Sequence, residues 1–361
     1  MNLQKNYILL SFSTILFFGL MILLSILLFV SNNIFPGAMW DAVSFLIVNV
    51  CVCLLFITAF GIIKNSNKNY FYFKLVWMQE MMIILGLLGL GLGYTFMLSG
   101  MLVPAPPGVD PTSQLISGVA ISLITVVYGF VGAVIFYLIQ KYYEFKNYKY
   151  EAIEIFTPKE GLQFQSLIYF TIFVGIFLFS CYRAILSAGV QLKNIFTFEA
   201  LIFFICINIL FIFLYKGNYL DLLKNIFWYS QKSKNIIRYN IIFIRNMKKI
   251  TSMVMTLILI IMPIVLLAAF SIGPQEMDFP ENNDSFVYVH LNVLINILIY
   301  YVITTVMIII MNVFEGREVS NLYILTGEIS TGNRFYVITY ILPPALLLYI
   351  TLLITLVWTT L

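Results

Sequence analysis

Long apolar runs separated by short polar segments dominate the chain. An α-helix of about 20 apolar residues spans the hydrocarbon core of a bilayer, which is about 30 Å thick. Because that core offers backbone groups no hydrogen-bond partners, such runs cross it as helices. The pattern predicts an all-α fold, a polytopic integral membrane helical bundle of about nine transmembrane helices. The predicted spans are 8–30, 42–63, 76–102, 115–139, 167–187, 196–215, 250–272, 287–314 and 335–361.

The composition supports the bilayer as the solvent of this chain. Of the 361 residues, 61% are hydrophobic and only 10% are charged, and the mean hydropathy is +0.98. Soluble globular domains are about 45–50% apolar and about 25% charged. We therefore expect a multi-pass protein in contact with the lipid bilayer, and no nucleic-acid partner.

The basic residues are concentrated in alternate loops. Eighteen of the 20 Lys and Arg residues lie in the segments 1–7, 64–75, 140–166, 216–249 and 315–334. The opposite loops contain only Lys193, and Arg183 lies within a predicted span. Because cytoplasmic loops carry the excess of Lys and Arg, this distribution predicts a cytoplasmic N-terminus. The basic cytoplasmic loop 216–249 is either a contact for anionic lipid or an acidic partner, or only an anchor of the topology.

Small residues mark the third and fourth spans as helices suited to close contact with other helices. In lipid, small side chains let helix backbones approach each other. The third span contains the run Gly86-Leu87-Leu88-Gly89 and the fourth begins its small-residue pattern at Gly118. The residues that we predict to pack these helices are Gly86, Gly89, Gly93, Gly118, Gly129 and Gly132.

This pair of spans resembles the MotA/TolQ/ExbB proton-channel family over about residues 75–145. That family shows GLLGT-x-x-G in one span and G-I-A-x-A-L-x-x-T-x-x-G in the next. The residues that match are Gly86, Leu87, Leu88, Gly89 and Gly93 in the first span, and Gly118, Ala120, Leu123 and Gly129 in the second. Leu90 and Val126 stand where the family has threonines, and Thr125 lies one residue earlier.

The resemblance implies a subunit of a proton-driven motor in the bacterial inner membrane, which couples ion flow to mechanical work. It also implies a homo-oligomer, a pentamer in that family, around a single-span partner with a membrane aspartate. The ion path implied for this chain contains Ser122, Thr125, Thr95, Ser99 and Glu80. The hydroxyls of Ser122 and Thr125 either face the partner's carboxylate or bond carbonyls of their own helix.

The chain divides into two membrane regions. Residues 1–145 form a four-span region that contains the helix pair, and residues 146–361 form a second region of about five spans. An alignment of Glu144 with Glu315 superposes the fourth span on the eighth, so a degenerate repeat is one interpretation. Two other functions stay open: a secondary transporter or permease of two related halves, and a non-conducting membrane scaffold subunit.

A few charged residues lie in or near the predicted spans. A carboxylate inside a membrane is a functional-site hypothesis by default, and Glu80 either serves such a site or pairs with Lys74 or another cytoplasmic base. We expect an ion pair between Arg183 and Glu199 near the opposite side. The residues Glu315, Arg317 and Glu318 follow the eighth span and are expected to be a solvated end.

The remaining polar residues indicate structure rather than catalysis. His290, Asn292 and Asn296 lie in the eighth span and are expected to form hydrogen bonds between helices. The sequence contains no phosphate loop, metal-ligand cluster or nucleophile–base pair. We therefore expect no enzyme, no cofactor and no metal site.

Overall fold

Seven helices make up most of the described protein. A computed structural model describes residues 41–61, 68–101, 111–145, 161–162, 164–187, 198–215, 228–229, 233–271 and 284–327. The helices are α1 (Ala42–Phe60), α2 (Lys68–Met101), α3 (Pro111–Phe145), α4 (Phe164–Ser187), α5 (Phe198–Leu214), α6 (Lys234–Ser271) and α7 (Asp284–Thr326). Five of them (α1, α2, α3, α4 and α7) contain segments long and apolar enough to cross a membrane. The prediction of a helical membrane protein is confirmed, while the predicted spans 8–30 and 335–361 lie outside the described residues.

Local sequence signals set the ends of α1 and α7. The side chain of Asp41 caps the start of α1 by accepting a hydrogen bond from Ser44 N at 2.7 Å, a common arrangement at helix N-termini. The two helices end at Gly61 and Gly327, whose φ angles are +61° and +65°. Because only glycine adopts this conformation at little cost, these positions stop the helices. Within α1, residues Leu46–Val50 form a π-helical turn.

Helix α2 lies at the centre of the bundle. It packs against α1, α3 and α7, and every residue from 80 to 92 is buried. Its glycines face two neighbours: a Cβ on Gly89 would lie 2.7 Å from the Cβ of Thr125 in α3, and one on Gly91 would lie 2.7 Å from the ring of Tyr301 in α7. The glycine-rich run therefore lets α2 fit closely between two other helices.

Helix α3 contributes glycines to the same interface. A Cβ on Gly129 would lie 2.6 Å from the backbone oxygen of Met82, and one on Gly132 would lie 2.7 Å from the sulfur of Met82. The predicted packing residues that the structure places at the α2–α3 interface, within one chain, are Gly86, Gly89, Gly93, Gly129 and Gly132. Gly118 belongs to α3, but its surroundings lie outside the described side chains.

Four helices have their ends at one end of the bundle. Near the start of α2, Tyr70 donates a hydrogen bond to Ser320 near the end of α7 at 3.0 Å. Gln79 donates to Gln140 near the end of α3 at 2.8 Å, and Asn240 near the start of α6 approaches the same end of α7. We call this the basic end, because the helix ends gathered there border the Lys- and Arg-rich segments.

The segment predicted as a basic loop, 216–249, is only partly a loop. Helix α6 begins at Lys234, so the second half of this segment is helical rather than irregular. Ile237, Ile241 and Ile244 recur at helical spacing and are buried, but the many bases between them lower the mean hydropathy. Earlier in this segment, Trp228–Tyr229 pairs antiparallel with Gly161–Leu162, which joins two of the basic segments.

We expect Gly129→Ala to destabilise the protein by about 1–3 kcal/mol, the usual cost of overpacking, because the added methyl would lie 2.6 Å from Met82 O. Gly175→Ala is the matched control, since nothing lies within 4 Å of a Cβ there and Ala favours helix. Thermal unfolding midpoints in one detergent measure both effects. Equal midpoints would show that Gly129 does not set the α2–α3 distance.

Candidate functional site

Charged side chains from three helices meet in the interior at the basic end. Lys248 Nζ of α6 lies 2.8 Å from Glu315 Oε2 of α7 and 3.7 Å from Glu80 Oε2 of α2. The exposed fractions of these side chains are 5% for Lys248 and 1% for each carboxylate. One ammonium group therefore contacts carboxylates on two other helices. We call Glu80, Arg245, Lys248 and Glu315 the ion cluster.

Glu315 holds two cations of α6 at once. Arg245 Nε donates to Glu315 Oε1 at 2.8 Å, while Lys248 Nζ donates to Oε2. Arg245 and Lys248 are three residues apart, so they lie on one side of their helix. Hydrogen bonds between charged partners are about twice as strong as neutral ones, and this pair of bonds fixes α6 against α7.

A second polar contact lies beside the ion cluster, towards the basic end. Asn240 of α6 donates its amide to Glu318 Oε1 at 3.0 Å, and its amide oxygen accepts a hydrogen bond from Tyr215 at 2.8 Å. All three side chains are buried. Tyr215 follows α5, so this contact brings the end of a further helix to the basic end.

Aromatic rings cover the start of α2 at the basic end. The rings of Tyr70 and Tyr323 stack at 4.1 Å between centroids, with an interplanar angle of 6°. Lys74 Nζ lies 4.5 Å from the centroid of the Tyr70 ring, a favourable site for a cation. Trp77 Nε1 donates to the backbone oxygen of Asn312 at 2.8 Å. Glu80 therefore pairs with Lys248, while Lys74 lies against rings.

The buried charges of the described residues balance. The cations are Lys74, Lys248 and Arg317 and the carboxylates are Glu80, Glu315 and Glu318, each at most 8% exposed. An isolated buried charge is very costly, whereas these buried cations and carboxylates are equal in number, and Arg245, which is 18% exposed, adds a further cation beside Glu315. Buried ion pairs are often no more stable than apolar packing, and a buried charged group in a membrane protein is a functional-site hypothesis by default.

The residues of the predicted ion path fall into two places. Ser122 and Thr125 of α3 are buried against Gly93 and Gly89 of α2, and Thr95 and Ser99 are buried further along α2. Thr125 donates its hydroxyl to Ser122 O at 2.5 Å and Thr95 donates to Gly91 O at 2.7 Å, so both bond their own helices. Glu80 lies in another part of α2. It is about 20 Å along the helix from Gly93, the residue that contacts Ser122.

The expectation that Glu315, Arg317 and Glu318 form a solvated end is wrong. Helix α7 continues to Thr326, and these three side chains are at most 4% exposed. They are covered because α2 and the first part of α6 extend alongside α7 at the basic end. The apolar residues of 234–249 recur at helical spacing. That pattern was the signal that could have predicted a helix alongside the end of α7.

Two further predictions concern polar residues outside the ion cluster. Arg183 and Glu199 are both exposed, on α4 and α5, and no ion pair joins them in the structure, so that prediction is wrong. Asn296 is half-buried in α7. His290 and Asn292 belong to the same helix, but their side chains lie outside the described residues.

We expect Glu315→Gln to destabilise the protein by about 3–5 kcal/mol, the usual cost of removing one partner of a buried ion pair, because Arg245 and Lys248 lose a shared carboxylate. Glu199→Gln removes the same charge at an exposed position, so its effect should stay within about 0.5 kcal/mol. Thermal unfolding in detergent measures both. Similar midpoints for the two variants would contradict a stabilising role for the ion cluster.

Comparisons of the chain with protein-family models, curated proteins and solved structures found no match. Over the part of the chain that the structure describes, no group of His, Cys, Asp and Glu side chains is arranged to hold a metal ion. The function of this membrane protein is therefore argued from the ion cluster and from the packing around α2.

Proposed function

We propose that this chain is the membrane subunit of a transporter or permease made of two regions, 1–145 and 146–361. In this proposal the N-terminus and the basic end are cytoplasmic and about nine spans cross the bacterial inner membrane, in line with the 18 of 20 basic residues in alternate segments. The observation that carries the proposal is the ion cluster. Glu80 belongs to the first region and the other members to the second.

The cluster is proposed to be a gate that closes the cytoplasmic end. Several contacts between the two regions at this end are polar, namely Glu80 with Lys248, Tyr70 with Ser320 and Trp77 with Asn312. Water can replace polar contacts of this kind when helices separate, at a small net cost. Alternating access in many transporters is a rocking of one region against the other.

The middle of the bundle supplies a pivot for such a motion. Gly91 of α2 packs directly against Tyr301 of α7, and the Tyr301 hydroxyl donates to Leu87 O at 3.2 Å. Tight apolar packing of this kind resists separation because a gap would lose contacts that water cannot restore. The two regions would therefore open at the basic end while α2 and α7 stay together at mid-height.

The distances within the cluster indicate which contact opens. Lys248 lies 2.8 Å from Glu315 and 3.7 Å from Glu80. When α2 moves away, Glu315 still neutralises Lys248, so the opening leaves no buried cation without a carboxylate. A proton on Glu80 would remove its attraction to Lys248, which gives an ion-driven permease a way to link proton binding to opening.

A subunit of a proton-driven motor, as the MotA/TolQ/ExbB resemblance implies, is the second candidate. The observation that favours it is the burial of the Ser122 and Thr125 hydroxyls in a tight antiparallel helix pair. The glycine face of that pair is filled within the chain, so a single-span partner with a membrane aspartate would bind elsewhere. The exposed apolar side of α3 is available for such a partner or for further subunits of a pentamer; it includes Val127, Phe130, Val131 and Ile135.

The gate is tested with a cysteine at Ile84, which lies one turn beyond Glu80 and is 1% exposed. The four native cysteines are first replaced with alanine, and a membrane-impermeant maleimide is added from the cytoplasmic side of inverted vesicles. We expect Glu80→Gln to raise the labelling rate at position 84 roughly tenfold, the factor given by about 1.4 kcal/mol of lost gate energy.

Gln79→Ala is the control for this experiment. Its hydrogen bond to Gln140 stays within the first region, so the labelling rate should not change. Equal rates in all variants would contradict the gate, and would agree with a non-conducting scaffold. Faster labelling in both variants would mean that any loosening of α2 exposes position 84.

The two candidates differ in what Thr125→Val does to proton flux. The permease predicts unchanged flux into liposomes, because the Thr125 hydroxyl donates to Ser122 O within its own helix. Thr171→Val is the matched control, since Thr171 makes the same kind of bond to Leu167 O on exposed α4. Flux that is lost only in Thr125→Val, with unchanged thermal stability, would favour the motor.

A further inference from the structure

Two buried polar side chains of α6 and α7 make no hydrogen bond with the residues that the structure describes. They are Asn312 of α7, which is 0% exposed, and Ser252 of α6, which is 1% exposed. In Asn312 both the oxygen and the nitrogen of the amide lack a partner, and in Ser252 the hydroxyl does. Because a buried polar group without a hydrogen bond is costly, these side chains indicate a ligand.

The neighbours of Ser252 along α6 show that it lies on the side facing α7. Lys248, four residues earlier, lies 2.8 Å from Glu315 of α7. Met255, three residues later, accepts a hydrogen bond from Thr305 of α7 at 3.5 Å. Residues separated by three or four positions share one side of a helix, so Ser252 lies between these two contacts with α7.

The same spacing places Asn312 on the side of α7 that faces α6. Asn312 follows Thr305 by seven residues and precedes Glu315 by three, which is the spacing of residues at a helix–helix seam. Because the two helices are antiparallel, Asn312 and Ser252 lie within about 5 Å, one helical turn, of each other along the bundle. Both lie on the inner side of the ion cluster, away from the basic end.

Glu80 of the ion cluster approaches this pair from α2. Trp77 donates to the backbone oxygen of Asn312, and Glu80 is three residues, about one turn, further along α2 towards the middle of the bundle. Its Oε2 lies 3.7 Å from Nζ of Lys248, which is one turn from Ser252. A carboxylate, an amide and a hydroxyl from three helices therefore converge beside the ion cluster.

The Ser252 hydroxyl differs from the threonine hydroxyls around it. Thr251, Thr304 and Thr305 each donate to a carbonyl of their own helix, as Ser and Thr in membrane helices often do. Ser252 has the same option one turn back, but over the described part of the chain its hydroxyl makes no such bond. It can therefore donate to, and accept from, a ligand between α6 and α7.

Water is the ligand that fits this chemistry. An amide and a hydroxyl offer donors and acceptors without charge. The ion cluster beside them already pairs two cations, Arg245 and Lys248, with two carboxylates, Glu80 and Glu315. A metal cation or an anion would add a buried charge without a partner, which is costly. A buried water molecule is neutral and typically makes about three hydrogen bonds to polar groups of this kind.

We propose that Asn312 and Ser252 bind water that delivers a proton to Glu80. This inference rests on the proposed gate, in which a proton on Glu80 removes its attraction to Lys248. The water molecule next to Glu80 gives a proton to the carboxylate and receives one from the water behind it, so the net change is one O–H bond on Glu80. Lys248 stays neutralised by Glu315 during this step. Because the water lies on the inner side of the ion cluster, the proton arrives while the basic end is still closed.

The bound water is tested by solid-state NMR of the full chain in lipid, with isotope label only in asparagine. We expect magnetisation from water to reach the side-chain amide of Asn312 several times faster than that of Asn240. Asn240 is the matched control, since it is equally buried but bonds protein groups, Glu318 and Tyr215. Each signal is assigned by its loss in Asn312→Gln or Asn240→Gln, which keep an amide. Equal transfer rates would overturn the proposal.

The proton delivery is tested by proton uptake of the full chain in nanodiscs after a rapid drop in pH, followed with a pH-sensitive dye. The phase that Glu80→Gln removes belongs to Glu80. We expect Ser252→Ala to slow this phase roughly tenfold, the factor given by about 1.4 kcal/mol of added barrier, because the water loses one of its partners. Thr251→Val is the matched control and should leave the rate unchanged, since the Thr251 hydroxyl donates to Met247 O.

Three outcomes of the uptake experiment overturn the proposal: no phase that depends on Glu80, an unchanged rate in Ser252→Ala, or equal slowing in Ser252→Ala and Thr251→Val. The labelling of position 84 tests the gate independently of the water. Labelling that Glu80→Gln leaves unchanged, together with fast magnetisation transfer to Asn312, would contradict the gate but not the water site.

Discussion

A buried ammonium is costly without a compensating partner, and Lys248 meets opposite charge on two other helices at once. Its contacts with Glu315 and Glu80 set how α2, α6 and α7 come together at the basic end. Arg245 completes the arrangement by bonding the second oxygen of Glu315. Removing any one of these side chains leaves another buried charge with less compensation, and this is why the contacts of three helices depend on one small group of atoms.

The contacts of α2 with its neighbours change in kind along its length, although aromatic packing also occurs at the basic end. At mid-height α2 is enclosed by tight packing, since Gly89 contacts α3 and Gly91 contacts α7. At the basic end the same helix is joined to the second region by several polar contacts, which water can replace. In the proposed transporter, the two regions rock about the tightly packed middle of α2. The proposed gate follows from this arrangement.

The sequence by itself determined the helical membrane class and much of the packing around α2. Both follow from constraints that act on neighbouring residues: the bilayer requires long apolar helices, and close helix contact requires small residues at helical spacing. The spacing of the glycines in residues 86–93 is therefore enough to predict their role in helix packing. The alternation of basic segments likewise agrees with the helix ends that the structure gathers at one end.

Only the tertiary structure decided where the charges are. The sequence singled out Glu80 but assigned Lys248 and Arg245 to a loop and Glu315 to a solvated end, because the cost of a charge depends on what surrounds it. The side chains that surround these charges come from distant parts of the chain. For example, α6 packs alongside α7, and Tyr70 stacks on Tyr323. Hydropathy along the chain averages over bases and apolar residues in 234–249, so it hid a helix that is buried on one side and exposed on the other. Lys248 and Glu80 are about 170 residues apart in sequence and come into contact only when three helices pack. A pattern of neighbouring residues cannot predict such a contact.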